Sequence, residues 1–229
     1  MEGALPIFHP SIFPLIKECK VISEICPHFP ANFFFIMDLQ QINIKIFVTA
    51  DSHINYQNFI KVFNKWMAEA DQDDYLNYAD YSHTAAGPGV LLISKRANYN
   101  IDNAQNRHGF LYHRKHKMEG DNREKIRQAF IETLKRCHRL EGEEDLAGEV
   151  HFNGADILFM INNRHIAPNT PEMFEAIQSD LMPVLQQMYR DSRFTLERAS
   201  ENVRERFAIQ VSAHSNKGIS ALLANLENQ

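Results

Sequence analysis

Cysteine is scarce: Cys19, Cys26 and Cys137 are an odd number without C-x-x-C spacing. That argues against a disulfide framework and a four-ligand zinc site, and a reducing cytoplasm is the expected setting. Glycine is sparse as well, nine in 229 residues, so a collagen-like chain is excluded. Long apolar runs are missing. A membrane-spanning helix needs about 20 apolar residues, and the prolines and charges near the N-terminus interrupt every candidate. Neither a charged n-region nor an Ala-x-Ala-like site marks a secretory signal. Positive charge is not in excess either, because 24 Lys and Arg against 29 Asp and Glu leave a formal charge of -5. Such a balance resists non-specific attachment to nucleic acid or anionic lipid.

What is present, 44% hydrophobic and 23% charged residues, is the composition of a globular protein. Residues 1–36 differ from the rest, holding five of the nine prolines and two of the three cysteines. They are expected to be a disordered or spurious extension, with Met37 as the true start and residues 37–229 as a single domain.

From Ile42 the periodicity becomes regular. INIKIFVT alternates Ile42, Ile44, Ile46 and Val48 with Asn43, Lys45, Phe47 and Thr49, the pattern of a half-buried strand. Asp51 or Ser52 is then expected to cap a helix carrying Phe59, Ile60, Phe63, Trp66 and Met67. VLLIS (90–94) and GFLYHR (109–114) read as strands. Asp121 with Glu124 opens a second helix through Ile126, Phe130, Leu134, Cys137 and Leu140. Cys137 on that stripe reads as a core residue.

Asn153-Gly154 between alternating apolar residues predicts a two-residue hairpin turn. Thr170 and Pro171 predict the start of a third helix, with Pro183 as a kink. FTLER and RFAIQVSA supply two last strands. The expected fold is therefore α+β: a mixed, mostly antiparallel sheet covered by three main amphipathic helices. Each half contains a strand, a helix and a returning strand pair, which makes an internal duplication conceivable.

Several polar clusters are candidate sites. Asp80, Ser82 and His83 precede Gly87-Pro88-Gly89, and Asn98 to Asn103 follow the strand after it. His83 with Asp80 orienting it could serve as a general base near neutral pH. Gly87 and Gly89 allow backbone to approach a ligand or another strand closely. Five residues of strand span roughly 17 Å, so the two clusters share one site only if the chain folds back after Arg96. INNRHIAPNT offers a second anion site: Asn163, Arg164, Asn169 and Thr170 lie beside a helix N-terminus, which favours negative charge.

RHGFLYHRKHK places Arg107, Arg114, Lys115 and Lys117 around Phe110 and Tyr112. A nucleic-acid interface is conceivable there, but alternation buries the two rings and the net charge opposes it. The histidines of this segment stand among cations, so no metal is expected. The segment FAIQVSAHSNKGISALLANL resembles the last base-recognition segment of small GTPases. The phosphate loop and the Asn-Lys-x-Asp motif of that family are absent from the sequence, so no nucleotide site is carried over.

The leading functional expectation is a non-catalytic binding or assembly module for a small molecule or protein partner. It is expected to use no cofactor, and a homo-oligomer is compatible with it. The alternatives are a general acid/base enzyme using His83 and Asp80 on a small anionic substrate, and nucleic-acid binding through 107–117.

Overall fold

The computed structural model describes residues 37–70, 74–85, 87 and 89–228; the expectation for residues 1–36 lies outside them. The alternation in INIKIFV forms β1 (Ile42–Val48), with Ile42, Ile44 and Ile46 fully buried. The stripe after it forms α1 (Tyr56–Glu69), burying Phe59, Val62, Phe63 and Trp66. Its cap is Asn55, whose side chain accepts from the Gln57 amide at 3.0 Å, and not Asp51 or Ser52. The Ser52 hydroxyl is committed elsewhere, donating to the His151 carbonyl and accepting from its amide.

Four strands follow: β2 (Tyr75–Asp80), β3 (Gly89–Ser94), β4 (Ala97–Asp102) and β5 (Gly109–Arg114). The segments around Asp80 and Asn98 to Asp102, read above as polar clusters, are themselves strands β2 and β4. In β4, Ala97, Tyr99 and Ile101 are buried while Asn98 and Asn100 point the other way. Asparagine is depleted in strands generally, which masks that alternation.

Helix α2 (Asn122–Glu141) begins where Asp121 accepts from the Glu124 amide at 2.8 Å. Strand β6 (Phe152–Ile161) comes next, and the expected turn at Asn153-Gly154 lies inside it. A Cβ on Gly154 would stand 2.4 Å from Leu222 Cδ1. The glycine therefore admits a helix side chain against the sheet and does not reverse the chain. Helix α3 (Pro171–Tyr189) is capped by Thr170 and continues through Pro183. Strands β7 (Phe194–Arg198) and β8 (Ala208–Ala213) and helix α4 (Ile219–Glu227) complete the order.

The strands form one open sheet in the order β2-β3-β4-β5-β1-β6-β8-β7. The α+β architecture is the expected one: every pairing is antiparallel, and among the described residues the three main helices are joined by the short C-terminal α4. The core lies between the sheet and the helices: α1 rests on β2 and β3, α2 on β1 and β5, and α4 on β6. Helices α2, α3 and α4 pack on one another.

The six strands β4-β5-β1-β6-β8-β7 are arranged palindromically about the β1–β6 pair. Strand-helix units β1-α1 and β6-α3 are each followed by a returning pair, β4–β5 or β7–β8, and a closing helix. This is the pattern of a duplicated unit, with β2–β3 as an extra hairpin in the first half.

Candidate functional site

Because α1 covers β2 and β3 while α2 covers β1 and β5, the strand between them, β4, is left under a gap. A cavity of about 620 Å³ opens there. Tyr75, Tyr99 and Tyr112 line it from the sheet, Glu132 and Arg136 from α2, and Arg114 from the end of β5. Strand phase brings the tyrosines together: Tyr99 and Tyr112 are in register across β4 and β5. Their ring centroids lie 6.0 Å apart, and Tyr75 meets Tyr99 edge-on at 6.2 Å.

Tyr112 is only 1% exposed, yet its hydroxyl has no hydrogen-bond partner among the described residues. Burial pushes this phenol up to about 12 and raises Tyr99 and Tyr75 for the same reason, so all three are neutral donors at pH 7. Arg136 lies with its guanidinium carbon 5.3 Å from the Tyr99 ring centroid. Its Nε is buried without a partner, and its ion pair with Glu132 is long at 3.9 Å. Burial opposes the Arg136 charge, but Tyr99, Tyr75 and Glu132 more than offset it and its pKa is raised. A buried donor without an acceptor costs about 1–3 kcal/mol. Two such donors, one on a cation, belong to side chains that line a space bounded by aromatic rings, the composition of a small-molecule site with a few polar groups.

The residues singled out in the sequence are dispersed. His83 is exposed on the turn after β2, and Asp80 accepts from the Ser82 amide at 2.8 Å; neither lines this cavity. The chain does fold back after Arg96, pairing Gly89 with Asp102. A Cβ on Gly89 would stand 2.5 Å from the Ile101 carbonyl oxygen, so what approaches this glycine is a neighbouring strand. Gly87 has φ of +72° and is exposed.

The basic segment does not form one patch. Arg107 pairs with Asp156 and covers the Phe47 ring at 3.5 Å, whereas Arg114 sits at the far end of β5 in the tyrosine cavity. Lys115 donates to the Ser94 carbonyl, and Lys117 pairs loosely with Glu119 at 3.8 Å. Asn163 closes its own turn by accepting from the His165 and Ile166 amides, and Thr170 caps α3. Asn169 donates to the carbonyls of Ser200 and Asn202, and Arg164 to that of Arg204.

Of the residues singled out in the sequence, the cavity contains Arg114 and Tyr112 of the basic segment and Tyr99 of the 98–103 cluster. Tyr75 and Arg136 were missed. The available signal was a tyrosine at core-facing strand positions, since a buried phenol needs a partner that an all-apolar core does not offer. Among the described residues no group of three His, Cys, Asp or Glu is placed to hold a metal ion, and no helix is long and apolar enough to cross a membrane. No protein-family model and no curated protein matches the chain.

Proposed function

We propose that the protein is a non-catalytic binding module for a small acidic molecule, seated in the cavity between α2 and β4. The observation that carries this reading is the pair of buried, unpartnered donors, Tyr112 Oη and Arg136 Nε, in the walls of one cavity. Charge-assisted bonds from Arg136 to a carboxylate are about twice as strong as neutral ones. The tyrosine rings supply the apolar walls, and Arg114 adds a second cation.

The test uses benzoate, phenylacetate and glutarate as probes, by calorimetric titration of the full chain. At least one is expected to bind saturably, with Arg136→Gln and Tyr112→Phe each weakening it tenfold or more. Tyr112→Phe should leave the free protein as stable or up to about 1 kcal/mol more stable, because it removes an unpaired buried hydroxyl. Saturable binding by none of the three acids, or binding indifferent to both substitutions, refutes the proposal.

A further inference from the structure

Away from the tyrosine cavity, the loops flanking β6 and β8 bring three arginines together. Arg164 follows β6, while Arg204 and Arg206 lie in the connection between β7 and β8. They are not a random surface cluster, because the two loops are fastened to each other. Asn169, 1% exposed, donates to the carbonyls of Ser200 at 2.9 Å and Asn202 at 3.0 Å. Arg164 donates to the Arg204 carbonyl at 2.6 Å, and Arg206 to the Asn162 side chain at 3.4 Å.

Together Asn162, Arg164, Arg204 and Arg206 line an open cavity of about 390 Å³. Among the described residues no ion pair joins Arg164, Arg204 or Arg206 to a carboxylate. Burial holds Arg206 below its ordinary pKa, and Asp102 offsets this only in part. Three forked cations without an anion suit a tetrahedral oxyanion, since guanidinium presents paired donors to phosphate.

A second cavity, of about 490 Å³, shares Arg206 and is lined by Phe47, Leu158 and Met160. Glu197 and Glu205 also border it, as do Arg107, paired with Asp156, and Arg198, which donates to the Asn169 carbonyl, so a negative head group belongs at the three-arginine end and an uncharged body over the apolar residues. From this juxtaposition we propose a second binding site, for a phosphate group held by Arg164, Arg204 and Arg206. The phosphate is supplied either by the free ion or by a small phosphomonoester whose body lies over Leu158 and Met160.

Calorimetric titration with phenyl phosphate and with inorganic phosphate, at fixed ionic strength, tests it. Saturable one-to-one binding is expected, reduced at least tenfold by Arg204→Gln and by Arg206→Gln. Arg123→Gln, an exposed arginine of α2 outside both cavities, should leave it unchanged. Tighter binding of phenyl phosphate identifies the ester as the source, and equal binding identifies the free ion. If neither probe saturates, or if Arg123→Gln weakens binding as much as Arg204→Gln and Arg206→Gln, there is no phosphate site here. The carboxylate probes of the tyrosine cavity report on different residues, so either site can fail without the other.

Discussion

Lys45 of β1 reaches over Gly109 of β5 to pair with Asp102 of β4, two strands away. Gly109 makes the crossing feasible, since a Cβ there would stand 2.7 Å from Lys45 Cε and 2.8 Å from the Ile46 carbonyl oxygen. Gly89 flanks Asp102 on its other side. The ion pair is enclosed, with side-chain exposures of 4% and 9%. Lys45 Nζ also donates to the Arg107 carbonyl at 2.8 Å, and Asp102 accepts from the Ala104 amide. Burial lowers the Lys45 pKa, with Asp102 opposing that shift.

Removing one member of this pair should cost far more than removing both. Lys45→Met strands a buried carboxylate, for which a loss of about 3–5 kcal/mol is typical. Lys45→Met combined with Asp102→Leu should recover most of that loss. Urea unfolding of the two variants checks it, and a single-variant loss under about 1 kcal/mol would show the pair to be solvated.

Gly154 gives a second check, on the strand that replaced the expected hairpin. In a turn, alanine would be penalised by backbone conformation whatever surrounds it. Here the obstacle is Leu222, 2.4 Å from the added Cβ. Gly154→Ala should therefore cost about 1–3 kcal/mol by overpacking, and Leu222→Ala in the same chain should relieve much of it. Without any relief from the second substitution, packing is not the cause.

Gly154 also shows what the sequence could and could not convey. Strand β1 and helices α1 to α3 were legible because their apolar periods are long and regular, and the caps at Asp121 and Thr170 stood where side-chain chemistry predicted them. Gly154 misled because an Asn-Gly pair says that backbone is permissive, not whether a turn or a leucine uses the permission. Strands β2 and β4 were hidden by asparagines on the face opposite the helices. The tyrosine cavity depends on the gap between α1 and α2, a distance set by tertiary packing.

The C-terminal ends of α1 and α2 are joined through Glu143. Its carboxylate accepts from the Trp66 indole at 2.6 Å and from Lys65 at 2.8 Å, while Arg139 covers the indole at 4.3 Å. Glu143→Ala leaves a buried N–H unpaired, for an expected cost of about 1–3 kcal/mol. Glu143→Gln keeps an acceptor and should cost less. Lys65 is 45% exposed, so Lys65→Met should change stability by under about 1 kcal/mol. Trp66 is the sole tryptophan, and its fluorescence reports both the unfolding transition and any local opening. If the alanine and glutamine variants are equally stable, the indole bond contributes nothing.

Stability should also fall between neutral pH and about pH 5, because of two histidines. Burial is the main cause that lowers both His108 and His113; Lys45 adds to it for the first, and Arg206 and Lys115 for the second. The unfolded chain takes up its protons near the ordinary imidazole value of about 6.5, before the folded protein does. In that window the unfolded state binds more protons, so stability rises with pH. The contribution is complete above the unfolded value and is lost as pH drops through it toward the lowered folded values. Asp38, lowered chiefly by its hydrogen bond from Lys125, acts in a separate window that begins near its own unfolded value of about 4. Replacing His108 and His113 together by Gln should flatten the dependence between pH 7 and 5 and leave the decline at lower pH in place. Unfolding free energies from urea titrations at half-unit pH steps, followed by Trp66 emission, measure both segments. An unchanged upper slope in the double variant would mean that other groups carry it.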